Sequence, residues 1–148
     1  MTPMVFDPLR KKEVPLTPEE QVRQWFISFL HEQMQVPHSM MNSEVSFNLG
    51  NKQMRADILV FARDLKPMMV IECKRPSVPL SDKVLQQIIR YNWVLDVPFI
   101  VATNGQNTYI CKRNEKGFDM MDKAPSFAEM LEYYECYHHR RLSRQEDI

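Results

Sequence analysis

Glu72 and Lys74 stand two residues apart inside the apolar run Met68-Met69-Val70-Ile71-Glu72-Cys73-Lys74, so in an extended chain they share one face of the strand. A core strand has no structural use for charge on that face. Burying an isolated charge costs several kcal/mol unless it is paired or bound to a metal. The placement therefore points to an ion or an anionic substrate at the end of this strand. Asp57 interrupts a second apolar run, Arg55-Ala56-Asp57-Ile58-Leu59-Val60, just upstream. A hairpin of strands 53–62 and 68–75, closed by Arg63-Asp64-Leu65-Lys66 with Ala62 opposite Pro67, sets Asp57 directly opposite Glu72. Opposed residues share a face with Cβ atoms roughly 4.5–5.5 Å apart, where two bare carboxylates repel unless a cation sits between them. Mg²⁺ suits such a site, being held by one or two carboxylates while waters and phosphate complete its shell. A register slip of one residue would put the two acids on opposite faces.

The elements that must position these residues follow from pattern. Thr17-Pro18-Glu19-Glu20 has a threonine N-cap, proline at N1 and glutamate at N3, the arrangement of a capping box. Val22, Trp25, Phe26, Phe29, Leu30 and Met34 then form one apolar stripe of a helix ending before Pro37. Glu44-Val45-Ser46-Phe47-Asn48-Leu49 alternates with period two and Gly50-Asn51 supplies a turn, which predicts a half-exposed edge strand. After the strand bearing Glu72, Ser81 caps a helix running to about Asp96, with Val84, Leu85, Ile88, Ile89, Trp93, Val94 and Leu95 covering much of its circumference. Pro98-Phe99-Ile100-Val101-Ala102-Thr103 is a buried strand, and the helical crossover before it implies parallel pairing with strand 68–75. Asn104-Gly105 turns into Thr108-Tyr109-Ile110-Cys111-Lys112, and Ser126-Phe127-Ala128-Glu129 opens a terminal helix carrying Met130, Leu131, Tyr133, Tyr134 and Tyr137. Residues 1–16, with Pro3, Pro8 and Pro15 and no periodicity, are predicted to be an extended N-terminal arm, and 17–148 a single domain.

Composition sets bounds. A chain of 148 residues with 44% hydrophobic and 26% charged content is an ordinary globule with one core. No stretch approaches the length of a membrane span and the N-terminus lacks the apolar run of a signal peptide, so the expectation is a cytoplasmic protein without a membrane. Cys73, Cys111 and Cys136 are odd in number and lack ligand spacing, which predicts free buried thiols. With a formal net charge of zero, nucleic-acid binding requires a local patch.

The element order is α/β, an α-β-β-β-α-β core with a mixed central sheet flanked by helices, and it resembles the restriction-endonuclease-like PD-(D/E)XK nuclease superfamily. Four parts of that pattern occur in order: Glu20 in the first helix, Asp57, the (D/E)XK element Glu72-Cys73-Lys74, and Gln87-x-x-x-Tyr91 on the next helix. Pro18-Glu19-Glu20-Gln21-Val22-Arg23-Gln24, Arg55-Ala56-Asp57, Ile71-Glu72-Cys73-Lys74-Arg75-Pro76 and Thr103-Asn104-Gly105 are similar to the N-terminal nuclease domain of type I restriction enzyme R subunits, over roughly residues 15–115. Ala56 stands where the family has proline before the aspartate, and the chain has no GxxxxGK[ST] loop of the kind an R-subunit translocase carries.

The resemblance implies a Mg²⁺-dependent DNA endonuclease of restriction-modification type, with Mn²⁺ as a substitute ion. Asp57, Glu72 and the Cys73 backbone carbonyl would ligate the metal, with Glu20 in its outer shell or on a second ion. Lys74 would orient the water and stabilise the transition state. Gln87 and Tyr91 would steady the wall of the site, and Arg75, Lys83 and Arg90 would contact phosphates. The implied partners are DNA, a separately encoded translocase or other restriction-modification subunits, and a second copy of the chain as a homodimer. Other readings stay open. Glu20 also suits helix capping alone, Asp57 a surface pair with Arg55 or Lys74, Glu72 and Lys74 an ion-pair ladder with Arg55, and Gln87 and Tyr91 a hydrogen bond to the sheet edge. His138-His139 with Arg140, Arg141 and Arg144 suits a solvated helix end or a phosphate-contacting tail. Two rival functions remain: a catalytically silent nuclease-fold protein that binds DNA or a partner subunit, and a structural protein with an ion-pair network.

Overall fold

The computed structural model describes residues 2–49, 51–93 and 96–146, and the side chains of 47, 49, 52, 54, 91–93 and 140–146 lie outside that description. Gly50, Val94 and Leu95, used above, are likewise outside it, as are the side chains of Trp93, Arg140, Arg141 and Arg144. The elements are β1 (Met4–Asp7), β2 (Lys12–Pro15), α1 (Pro18–Glu32), β3 (Met41–Leu49), β4 (Lys52–Phe61), β5 (Pro67–Cys73), α2 (Asp82–Trp93), β6 (Phe99–Thr103), β7 (Thr108–Arg113), β8 (Phe118–Met120) and α3 (Phe127–Glu146).

Six strands form one mixed sheet in the order β3-β4-β5-β6-β7-β8. Every neighbouring pair is antiparallel except β5 with β6, which α2 joins as a crossover, Glu72 pairing with Ala102 and Cys73 with Thr103. β5 and β6 lie in the middle with both faces covered, as parallel strands require. Ile58, Val60, Ile71 and Val101 pack on one side with Phe26, Leu30 and Met130 of α1 and α3. Leu59, Val70, Ile100 and Ala102 pack on the other with Leu85 and Ile88 of α2. Helices on both faces thus leave the end of the β4–β5 pairing, at the middle of β4 and the C-terminal end of β5, as the place where polar groups can gather.

The hairpin register at that end matches the expectation, Ile58 pairing with Ile71, Leu59 with Val70 and Val60 with Met69. At the turn the expected pair of Ala62 with Pro67 is replaced by Phe61 with Pro67, because the register shifts after Val60. Met68 is the extra residue of this bulge. Ala62 N–H instead donates to the Lys66 carbonyl, and Leu65 takes a positive φ of 65° to close the turn. The bulge lies at the far end from Asp57, but the paired register stops at Ile58 with Ile71, so the expected direct pairing of Asp57 with Glu72 is not formed.

A second irregularity matters more. Ala56 and Ile58 would share a face in a regular strand, yet Ala56 packs in the α2-side core and Ile58 in the α1-side core. On the neighbouring strand Met41 and Val45 divide in the same way. Both chains twist at Glu44 and Asp57, between the pairs Ser43 with Ile58 and Val45 with Ala56, and Glu44 adopts a φ of 51°. The twist turns Asp57 out of its regular alternation and toward α1.

Residues 1–16 differ from the expected extended arm. They fold into a hairpin of β1 and β2, with Met4 paired to Pro15 and Asp7 to Lys12. The Asp7 carboxylate accepts from Leu9 N–H and Lys11 turns with a φ of 55°. Pro8 falls in the turn and Pro15 at the strand end, where a missing N–H is tolerated, so the prolines punctuate this hairpin rather than prevent it. β3 begins at Met41, three residues before the predicted start, and the short strand β8 carries no sequence pattern long enough to announce it. Trp25, placed above in the α1 stripe, is exposed. Of the three cysteines Cys73 and Cys111 are buried, whereas Cys136 on α3 is exposed.

Candidate active site

Four elements converge on a cleft of about 410 Å³ lined by Glu20 and Arg23 of α1, Glu44 of β3, Asp57 of β4, Glu72 of β5 and Lys74 just beyond β5. Asp57 is fixed at both oxygens: Oδ2 accepts from Cys73 N–H at 2.7 Å and Oδ1 from Arg23 Nη2 at 3.2 Å. The first bond spans the gap between β4 and β5 and ties the carboxylate to the residue following Glu72.

Glu72 is half-buried, and its Oε1 is enclosed without a hydrogen-bond partner. Burial first, then the neighbouring Asp57 carboxylate, pushes its carboxyl up to about 8, while the Lys74 ammonium pulls the other way. Without a cation the two acids stay together only while Glu72 keeps a proton that it shares with Asp57. A buried carboxylate oxygen with no donor, beside a second carboxylate, is a donor set that suits a divalent cation. The set is small: among the described residues no group of three or more His, Cys, Asp or Glu side chains is arranged around a metal position. A pair of carboxylates is nonetheless the number that Mg²⁺ takes when waters and phosphate fill the rest of its shell.

Glu20 is placed differently from the capping-box expectation. Its N–H does donate to Thr17 Oγ1 at 3.1 Å, so the threonine caps the helix. Its carboxylate, however, is buried among donors: Oε1 accepts from Arg10 Nη2 at 2.5 Å and Arg23 Nη1 at 3.0 Å, and Oε2 from Gln24 Nε2 at 3.1 Å. Three donors already satisfy it.

A second cleft of about 440 Å³ opens on the α2 side, lined by Arg55, Glu72, Lys74, Val84, Gln87 and Ile88. Arg55, Glu72 and Lys74 line both clefts, so they form the ridge between them. Gln87 is thus brought to the site, while the Tyr91 side chain lies outside the described residues. Arg75, Lys83 and Arg90 are exposed but line neither cleft, and Arg55 is the arginine found on the ridge. The Cys73 side chain packs with the α1-side core, where burial and then the Asp57 charge drive its pKa well up, and its N–H bonds the Asp57 carboxylate.

The sequence profile of the type I restriction enzyme R protein N terminus matches residues 18–125. The chain belongs to this family. The fold is similar to that of a fragment of a putative HsdR subunit of a type I restriction enzyme from Vibrio vulnificus YJ016, with a TM-score of 0.60 and 20% sequence identity. That likeness covers 77% of this chain and 24% of the other, so the chain corresponds to a minor part of the HsdR fragment. Comparison with curated protein sequences finds no match.

In this R-protein N-terminal domain, the residue that sequence reasoning missed is Arg23. It is 4% exposed and bonds Glu20, Glu44 and Asp57 at 3.0, 3.0 and 3.2 Å. Burial opposes its charge, but Glu20, then Asp57 and Glu44, outweigh it and raise the pKa. A signal was present: Arg23, Ile27, Leu30 and Met34 recur at helical spacing, and a charge on the apolar face of α1 asks for partners as Glu72 does on β5. Glu44 was also missed, being an ordinary polar position in an alternating edge strand. Arg23, Arg55 and Arg10 together hold its carboxyl low against the opposing effect of burial. Arg10, at the tip of the N-terminal hairpin, pairs with Asp7, Glu20 and Glu44.

Proposed function

We propose that the domain is a Mg²⁺-dependent DNA endonuclease unit of a type I restriction system, Mn²⁺ substituting for Mg²⁺. The observation that carries this reading is the enclosed, unpartnered Glu72 Oε1 beside Asp57, in a cleft that also receives the Lys74 side chain. Asp57, Glu72 and the Cys73 carbonyl would hold the ion. Bound there, it supplies a water of lowered pKa and neutralises charge on the phosphate. Lys74 stands at the ridge between the clefts, where its ammonium meets a phosphodiester entering from either side and stabilises charge that grows on it. Gln87 borders that path from α2, and Arg55, with Arg75, Lys83 and Arg90 farther out, supports the backbone without reading sequence. Glu20 acts through Arg23 rather than on the substrate. Other restriction-modification subunits, a translocase among them, are the expected partners, and a second copy of the chain is a further one.

One observation favours a second reading, a nuclease-fold module that binds DNA or a partner subunit without cutting: both oxygens of Asp57 are satisfied by Arg23 and Cys73 N–H without an ion. Incubating supercoiled plasmid with the protein and Mg²⁺ or Mn²⁺, beside Lys74→Ala, separates them. Metal-dependent nicking lost in Lys74→Ala supports the enzyme. DNA retention without nicking, alone and with a translocating partner, supports the binding module.

A further inference from the structure

Five carboxylates line the first cleft, Glu19, Glu20, Glu44, Asp57 and Glu72, against three cations, Arg23, Arg55 and Lys74. Arg10 adds a fourth cation from behind, bonded to Glu20 and within 3.3 Å of Glu44. The acids are therefore almost fully countered by fixed side chains. Arg23 has the deepest position of the four, since it reaches four carboxylates, Glu19, Glu20, Glu44 and Asp57, from three different elements while its Nε stays buried and unpartnered. A guanidinium holding so many acids with one donor unsatisfied is placed for its charge more than for its own hydrogen bonding.

Two consequences follow for a divalent ion at Asp57 and Glu72. Glu20 and Glu44 are engaged by arginines, so they are withheld from the ion. The guanidinium on Asp57 Oδ1 also places a positive charge on one of the ion's own ligands. We propose that Arg23, backed by Arg10, is a positioning residue that fixes Asp57 while keeping Glu20 and Glu44 off the metal, so that the site takes one divalent ion and takes it weakly. Arg10 lies outside residues 18–125, so this backing comes from the N-terminal hairpin and not from the segment that defines the family. The inference rests on the metal-site reading above, and its test is built to fail separately from it.

Mn²⁺ binding is measured by calorimetry and by the loss of the free-ion electron paramagnetic resonance signal, in the absence of DNA, for wild type, Arg23→Gln, Arg10→Gln and Glu20→Gln/Arg23→Gln. Removing one unit charge near a divalent ion in a solvated cleft changes its affinity by about tenfold. Arg23→Gln and Arg10→Gln are each expected to bind Mn²⁺ about tenfold more tightly than wild type. Glu20→Gln in the Arg23→Gln background should remove most of that gain, a result that a purely structural Arg23 would not give. Because Arg23 is buried and Arg10 sits on the fully buried Asp7, both variants are first checked by circular dichroism, and Arg10→Gln, which leaves the cleft lining untouched, carries the test if Arg23→Gln does not fold. Wild-type binding with unchanged or weaker binding in the variants overturns the arginine inference and leaves the metal site standing. Absence of binding in wild type with binding in the variants overturns the claim that the native site takes an ion and removes the metal from the proposed function. Absence of binding in all four proteins overturns both.

Discussion

Replacing Glu72 with glutamine should make the protein more stable at alkaline pH and change little at acid pH. The Glu72 carboxyl sits at about 8 against an ordinary 4.5, driven by burial and then by Asp57. Between those values the folded protein holds a proton that the unfolded chain has released, so stability falls as pH rises through that window and the loss is complete above about 8. The full displacement corresponds to a ceiling of ~5 kcal/mol. Glu72 is only half-buried, so solvent screening reduces the expected loss to about 2–3 kcal/mol. Glutamine keeps the shape, cannot ionise and can donate to Asp57, as the protonated acid does. For a chain of this size 1 kcal/mol moves Tm by ~2–4 °C, so Glu72→Gln should melt roughly 5–10 °C above wild type at pH 9. The two should converge near pH 5, where both side chains are neutral in folded protein. Melting curves by circular dichroism from pH 5 to 9, in a chelator to remove divalent ions, make the comparison. Parallel curves, with the variant no better at pH 9 than at pH 5, would refute the claim that the fold strains this carboxylate.

Other outcomes can be checked with the same protein. Millimolar Mg²⁺ or Mn²⁺ should raise the wild-type Tm through linkage, and Asp57→Asn should abolish that rise; a shift that persists in Asp57→Asn places the ion elsewhere. Lys74→Ala should keep the wild-type Tm within the shift produced by ~0.5 kcal/mol and still lower nicking by about 10²–10³, measured side by side on plasmid. Gly105 holds a φ of 87° and an added Cβ would lie 3.3 Å from Val22 Cγ2, so Gly105→Ala should lose ~1–2 kcal/mol in urea titration. Ser126 and Glu129 cap α3 reciprocally, and Ser126→Ala should cost ~1 kcal/mol, read by the same titration.

The strands and helices that carry the site were legible in the sequence because each rests on a local period. The alternating edge strand, the apolar runs around Ile58 and Ile71, and the capping signals at Thr17, Ser81 and Ser126 all concern residues within four positions of one another. So does the inference that Glu72 and Lys74 face something charged, which needs only period two and the cost of burying charge. The approach of Asp57 to Glu72 was within reach for a related reason: one short hairpin relates them, and its bulge falls at the turn, away from the acids.

Tertiary structure alone decided what those acids meet. The sequence offered Glu20 as an outer-shell or second-ion residue or as a helix cap; its threonine does cap, but the carboxylate answers to Arg10 and Arg23, whose positions depend on how a hairpin and a helix pack over the sheet. Glu44 looked like a solvent-facing residue of an alternating strand; the twist it shares with Asp57 turns it toward α1, and no local pattern encodes a twist that two strands make together. The prolines, scattered charges and missing periodicity of residues 1–16 suggested an extended arm; here Arg10, held by the buried Asp7, ties the hairpin to the domain through Glu20 and Glu44. Charge pairing across elements acts through space and depends on burial, so a linear sequence reveals which residues need partners but not which partners they find.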